Sequence, residues 1–194
     1  MILYEKDRIN QTEQLYHQND ENLVYPAHLH NAFEVVVVYK GKLKLNVEGV
    51  DYTLCENDAA LILHNQFHSY STEHYSKSYL CIFSKKLIYD FYELCKGSRP
   101  KTPLFRISDT AIISSLQHSS SDIFFIKSIL YRIASLLLSS NKLIPNNAKN
   151  FDIIHTTLKY IEDNYIAPIT IKTLAASIGY DYHYLSSLIT KTLK

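Results

Sequence analysis

The sequence predicts an α+β chain: an antiparallel β-barrel, helices that follow it, and then a separate helical segment. Three observations predict this. From Leu23 to Phe83, short β-rich runs with apolar and polar alternation are divided by turn residues. After Phe83 the apolar period becomes helical. Beyond a Pro- and Asn-containing stretch everything reads as helix. The predicted division is 1–140 for the first domain, 141–150 for a linker and 151–194 for the last segment.

Residues Met1 to Glu21 are polar and weakly patterned, an arm or an edge strand. The run His28-Leu29-His30-Asn31-Ala32-Phe33-Glu34-Val35-Val36-Val37-Val38 joins polar side chains to a strand. Lys40-Gly41 and Glu48-Gly49 read as turns that bracket Leu43, Leu45 and Val47, with Lys42, Lys44 and Asn46 on the wet side. Val50 to Leu54 completes a hairpin, Glu56-Asn57-Asp58 turns the chain, and Ala59 to Leu63 is a buried strand. Phe67 to Tyr70 and Ser78 to Phe83 close the β-region.

Ser84 caps a helix that carries Leu87, Ile88, Phe91, Tyr92 and Leu94 and stops at Gly97. Pro100 and Pro103 mark a loop, Ser108-Asp109-Thr110 caps a shorter helix through Leu116, and serines 119 to 121 end it. Asp122 to Leu138 is a helix apolar around most of its circumference, either a covered core helix or a homodimer seam. After the linker, Phe151 to Tyr165 places Ile154, Leu158 and Ile161 on one stripe. Thr170 caps Ile171 to Ile178, Gly179 supplies a left-handed turn, and Asp181 caps a helix from Tyr182 toward Leu193. The last pair has the spacing of a helix-turn-helix.

Even separations put His28, His30 and Glu34 on one face of an extended chain, and His68 returns beside them after the hairpins. Neutral imidazoles and one carboxylate suit zinc, iron, nickel or manganese, or they line a polar pocket walled by Phe33, Val35, Val37 and tyrosines. On the last helix Tyr182, His183, Ser186, Ser187, Thr190 and Lys191 face outward, while Leu185, Leu188 and Ile189 face inward.

Bulk composition narrows the partners. The 194-residue chain is 46% hydrophobic and 20% charged with a formal net charge of +1, so it lacks the basic excess common in nucleic-acid binders. Cys55, Cys81 and Cys95 form no CxxC pair, which argues against a disulfide framework and for a reducing, cytoplasmic setting. Met1 to Arg8 lacks the pattern of a signal peptide, and no apolar run approaches the roughly 18 residues of a membrane span, so no membrane partner is expected.

Two sets of residues carry a family resemblance. Ala175, Gly179, Asp181, Tyr184 and Leu185 follow the small-residue, glycine, cap and Tyr-Leu pattern, and His28-x-His30-x3-Glu34-x6-Gly41 looks like a first cupin motif. On them the chain resembles the AraC family of bacterial transcription regulators, in which a cupin-like effector-binding domain precedes two helix-turn-helix units. Departures are Asp181 for serine, Ile189 for phenylalanine, Thr190 for a basic residue, and Asn22 for the glycine before the cupin motif. In the second cupin motif Asn57, Leu63 and Asn65 replace Gly, Pro and Gly and leave His68. The chain ends at Lys194, before a second helix-turn-helix.

The resemblance implies a regulator with no catalytic residues, no cofactor and no resident metal. His28, His30, Glu34 and His68 would line an effector pocket, and Tyr182, His183, Ser186, Ser187, Thr190 and Lys191 would meet promoter DNA. A homodimer would form through the 122–138 helix. Two rivals stay open: a metal-dependent cupin enzyme, an isomerase or dioxygenase, and a truncated sensor and dimerisation fragment that does not bind DNA alone.

Overall fold

The computed structural model of the chain describes residues 3–4, 15–109, 111–117, 122–145 and 149–192. Thr110, serines 119 to 121, Asn146, Asn147, Leu193 and most positions before Leu15 lie outside the described residues. The chain divides into two compact units, with the division between residues 146 and 147.

The first unit holds strands β1 (Leu3–Tyr4), β2 (Leu15–Glu21), β3 (Tyr25–Leu29), β4 (Phe33–Val47), β5 (Val50–Cys55), β6 (Asp58–Ile62), β7 (His68–Ser71) and β8 (Ser76–Phe83). A 3-10 turn (Lys85–Ile88) leads to α1 (Tyr89–Gly97), β9 (Ser98–Pro100), β10 (Leu104–Arg106), α2 (Ala111–Gln117), α3 (Ile123–Ser140) and β11 (Leu143–Pro145). Helices α4 (Lys149–Asn164), α5 (Ile171–Ile178) and α6 (Tyr182–Thr192) make up the second unit.

Everything in the first unit is organised on β4. Its first half lies between β6 and β8, and its second half between β5 and β7. The sequence reading put a turn at Lys40-Gly41; the structure instead has one strand of 15 residues that bends there. The bend comes from a register shift between Val38 and Lys40 and from Gly41 at φ +77°. A Cβ on Gly41 would stand 2.1 Å from the Tyr75 carbonyl oxygen, which already accepts from Lys42 N at 2.9 Å, so only glycine fits. Glu48-Gly49 is a true hairpin turn, with both residues at positive φ.

The nine-stranded sheet is antiparallel except where β1 joins β3. It is not closed into a barrel: β2, β10, β5 and β1 are its margins, and no pairing among the described residues joins them. Alternation tells which face of a strand is buried, but not whether the ends of a sheet meet, so the barrel expected from the sequence gives way to an open, folded sheet.

Both faces of the first half of β4 are covered. Phe33, Val35 and Val37 pack with Leu87, Ile88 and Phe91 and with Leu130, Ile133, Ala134 and Leu137 of α3. Val36 and Val38 point the other way, into a cluster with Leu43, Leu45, Ile62, Tyr70 and Ile82. The helix expected from Ser84 to Gly97 is broken: Ser84 Oγ accepts from Lys86 N at 3.3 Å, and Ile88 at φ −131° separates the 3-10 turn from α1. Asp122 caps α3 by accepting from Phe124 N at 2.9 Å. At 18 residues and a mean hydropathy of 1.5, α3 reaches the length and apolarity of a membrane span, contrary to the expectation that no apolar run does so. It does so while carrying Lys127 and Arg132 and burying one face in the core.

Within the 141–150 stretch, Leu143–Pro145 is β11, antiparallel to β9. Asn141 ties this end down, since its side chain donates to Leu104 O at 3.0 Å and accepts from Thr102 N at 3.2 Å.

In the second unit, Ile153, Ile154 and Thr157 of α4 are buried, whereas Ile161 is exposed, so the buried stripe is rotated from the one expected. Thr170 and Thr173 bond each other's backbone N–H groups at the start of α5, and Gly179 at φ +78° ends it. Asp181 Oδ1 accepts from His183 N and Tyr184 N at 2.9 and 3.0 Å and starts α6.

Candidate functional site

His28 lies on β3, His30 in the break between strands, Glu34 on β4 and His68 at the head of β7. The even spacing along one strand is therefore not what unites them. Strand pairing does it: His28 sits opposite His68 across β3 and β7, and Val47 of β4 sits opposite His68 on its other side. The ligand atoms of the four residues all lie within 4.8 Å of one another, and each residue is at most 3% exposed. The expected walls are different. Phe33, Val35 and Val37 alternate away from Glu34 toward the helices, and the residues opposite Glu34 on β6 and β8 are Ile62 and Ile82.

Backbone carbonyls orient the three imidazoles. His28 Nδ1 lies 2.9 Å from Pro26 O, His30 Nδ1 3.2 Å from Ala32 O, and His68 Nδ1 2.9 Å from Gln66 O. With Nδ1–H donating to those oxygens, each Nε2 is left as a lone pair directed inward. His30 Nε2 is 3.0 Å from Glu34 Oε2, and His68 Nε2 faces the same oxygen at 3.5 Å without a hydrogen bond of ordinary geometry. The other carboxylate oxygen, Oε1, accepts from the Tyr70 hydroxyl.

Burial, reinforced by the neighbouring His68 imidazole, pushes His28 down to about 3. Burial also pushes the Glu34 carboxyl up, but the facing imidazoles of His68 and His30 outweigh it and hold it well below the ordinary carboxylate range. Tyr70, buried against that charge, is raised well above an ordinary phenol and stays a donor.

Lone pairs and a carboxylate oxygen at these distances require a proton or a cation between them. The set fits a divalent transition ion: three Nε2 donors, one carboxylate oxygen, and a backbone acceptor behind each imidazole. His28, His30, Glu34 and His68 would be its ligands. Tyr70 and Gln66 position the set, and neither is marked in the sequence. A tyrosine two residues after His68 has an ordinary strand spacing, and the carbonyl of Gln66 has no sequence signature.

The six outward residues of the last helix are also brought together. His183, Ser186, Ser187, Thr190 and Lys191 are exposed, Tyr182 is half-buried, and all six line one open hollow with Ile171. Leu185 and Leu188 are buried, and Ile189 is half-buried. Lys172 Nζ stands 5.3 Å from the Tyr182 ring centre, so a second cation borders this face.

A family model for the AraC-like ligand binding domain matches residues 10–134. No curated protein matches the chain. Among solved structures, ToxT from Vibrio cholerae strain SCE256 with bound unsaturated fatty acid is similar at a TM-score of 0.60 and 13% identity, over 94% of this chain and 75% of that one. ToxT from Vibrio cholerae O395 bound to (E)-4-(8-methylnaphthalen-1-yl)but-3-enoic acid gives a TM-score of 0.58 at 12% identity, over 91% and 76%. At these identities the likeness to ToxT is one of fold. The match of the family model spans the sheet that holds the histidine centre, apart from β1, as well as α1, α2 and most of α3, and by it the chain belongs to the AraC-like ligand-binding domain family.

Proposed function

We propose that the chain is a cytoplasmic, ligand-responsive transcription regulator in which the first unit takes a small effector and the second meets promoter DNA. The observation that carries this is the ligand-binding family match across a sheet whose interior holds a buried polar centre. His28, His30, Glu34 and His68 would belong to the sensing machinery, with no catalytic residue required. The two ToxT structures hold a fatty acid and an arylbutenoic acid, which supports an organic acid as the effector class.

On this reading α5, the turn at Gly179 and α6 act as a helix-turn-helix, and Tyr182, His183, Ser186, Ser187, Thr190 and Lys191 face the groove. With few cations on that face, few phosphates are neutralised, so affinity is modest and its salt dependence shallow. A homodimer through α3 agrees with its exposed Phe124, Phe125 and Tyr131 and with the apolar groove that Phe91, Leu94, Ala134 and Leu138 line between α1 and α3. Retention of genomic promoter fragments by the purified chain at fixed salt tests the reading. Wild type should retain fragments that the variant with Ser186→Glu and Thr190→Glu does not; equal retention rejects the DNA face.

One observation favours a second reading. The convergence of three carbonyl-oriented Nε2 atoms on a buried carboxylate suits a metal centre, as in a metal-dependent cupin enzyme. Elemental analysis of protein purified without chelator decides it. A stoichiometric transition metal that is lost in His30→Ala supports that reading, and its absence removes it.

A further inference from the structure

A concavity adjoins the histidine centre without including its four residues. It is a cleft of about 180 Å3 between the β4–β5 hairpin turn and the segment 99–103. Val47, Leu61 and Leu63 give it an apolar floor, and Glu48, Arg99 and Lys101 bring charge to it. Gln66 closes one side: its Oε1 accepts from Leu63 N at 2.8 Å, which directs its amide N–H toward the Glu48 carboxyl.

The charges do not balance. Two cationic residues and one acidic residue line the cleft above its apolar floor, an excess of one positive charge that suits a small monoanion with a compact apolar body. Glu48 also sits at φ +52°, a left-handed conformation that costs a non-glycine side chain about 1 kcal/mol. Asn would suit this turn better. A glutamate held there under strain, with its carboxyl turned to the cleft, is the kind of feature that marks a binding site.

The cleft is also placed to be read. Its outer wall, residues 99–103, is tied to the end of the first unit. Arg99 pairs with Ile144 of β11, Lys101 N donates to Lys142 O at 3.0 Å, and Thr102 N donates to Asn141 Oδ1 at 3.2 Å. In sequence, β11 ends two residues before the second unit begins. On the inner side, Gln66 contributes its side chain to the cleft and its carbonyl to His68.

We propose that the cleft bounded by Glu48, Gln66, Arg99 and Lys101 binds a small carboxylic acid as its monoanion, and that the β9–β11 pair is the element this ligand acts on. The proposal rests on the ligand-responsive reading above and gives the organic acid its seat.

Calorimetric titration of the full chain with benzoate and with hexanoate tests it, with benzyl alcohol as the neutral control. Wild type should bind at least one acid with a dissociation constant near ~1 mM or below, and the alcohol at least tenfold more weakly. Arg99→Gln should weaken the acid about tenfold, and Glu48→Gln should tighten it, since it removes a repelling carboxylate. Far-ultraviolet circular dichroism melts of both variants report whether the fold is kept. The proposal is overturned if neither acid binds, if the alcohol binds as well as the acids, or if a folded Arg99→Gln binds them like wild type. These titrations contain no DNA, so failure of the DNA face leaves them standing, and their failure leaves promoter retention to be judged separately.

Discussion

Tyr70 donates its hydroxyl hydrogen to Glu34 across a sequence separation of 36 residues, and both side chains are buried. The bond fixes one carboxylate oxygen, so that the other is the one presented to His30 and His68. Tyr70→Phe removes the donor while preserving the ring's packing. It should cost ~1 to 3 kcal/mol, the penalty for leaving a buried charged acceptor short of a partner, measured as a lowered urea midpoint with unchanged slope. A midpoint equal to that of wild type would mean that the bond is idle.

Acid should destabilise the metal-free protein in two stages. His28 has its folded value pushed from 6.5 to about 3, so the unfolded chain binds more protons below 6.5, and stability falls as pH drops from 6.5 toward 3. Glu34 is depressed from 4.5, so its contribution is present above 4.5 and is lost as pH falls through its lower folded value. Each group contributes a slope of at most about 1.4 kcal/mol per pH unit. In chelator-treated protein, His28→Gln should flatten the first stage and leave the second. A profile unchanged by the substitution would remove His28 as the source.

Gly41→Ala tests the bend in β4. The added methyl meets the Tyr75 carbonyl oxygen at 2.1 Å, and backbone is slow to yield. Destabilisation should therefore exceed the ~1 kcal/mol of left-handed strain alone, and the signal should be a loss of soluble yield or a fall in melting temperature. An alanine tolerated at full stability would show that the bend relaxes freely.

The parts of the fold legible in the sequence are those set by neighbours along the chain. Thr170, Gly179 and Asp181 marked the ends of α5 and the start of α6 because capping is local chemistry. Leu43, Leu45 and Val47 were legible as the buried side of a strand for the same reason. What depends on distant strands was not legible. The bend at Gly41 needs Tyr75, and the open sheet depends on which strands end as margins. The site shows both cases. Its four clustered residues stand out as a motif, although they are assembled by pairing between β3, β4 and β7 rather than by alternation. Tyr70 and Gln66 could not be singled out, because their roles exist only once His68 has been placed. Phe33, Val35 and Val37 were assigned to the wrong wall, since Glu34 lies between them and a period of two sends them to the opposite face.

Glu48 offers a test in which stability and binding move in opposite directions. At φ +52° it occupies the first central position of a two-residue hairpin turn followed by Gly49 at +81°, the setting in which Asn-Gly is favoured. Glu48→Asn relieves the left-handed strain. It also removes a carboxyl that burial pushes up, with Arg99 and Gln66 only partly offsetting it. Both changes favour the folded state, so the variant should gain about 0.5 to 1 kcal/mol and melt a few degrees higher. On that count Glu48 contributes nothing to folding. If Glu48 tunes the charge of the cleft instead, the stabilised variant should respond to benzoate with a larger shift in melting temperature than wild type, because Arg99 then faces the anion without a competitor. Comparing melting temperatures with and without benzoate checks both halves. A variant no more stable than wild type would dismiss the strain, and an identical benzoate shift would dismiss the tuning.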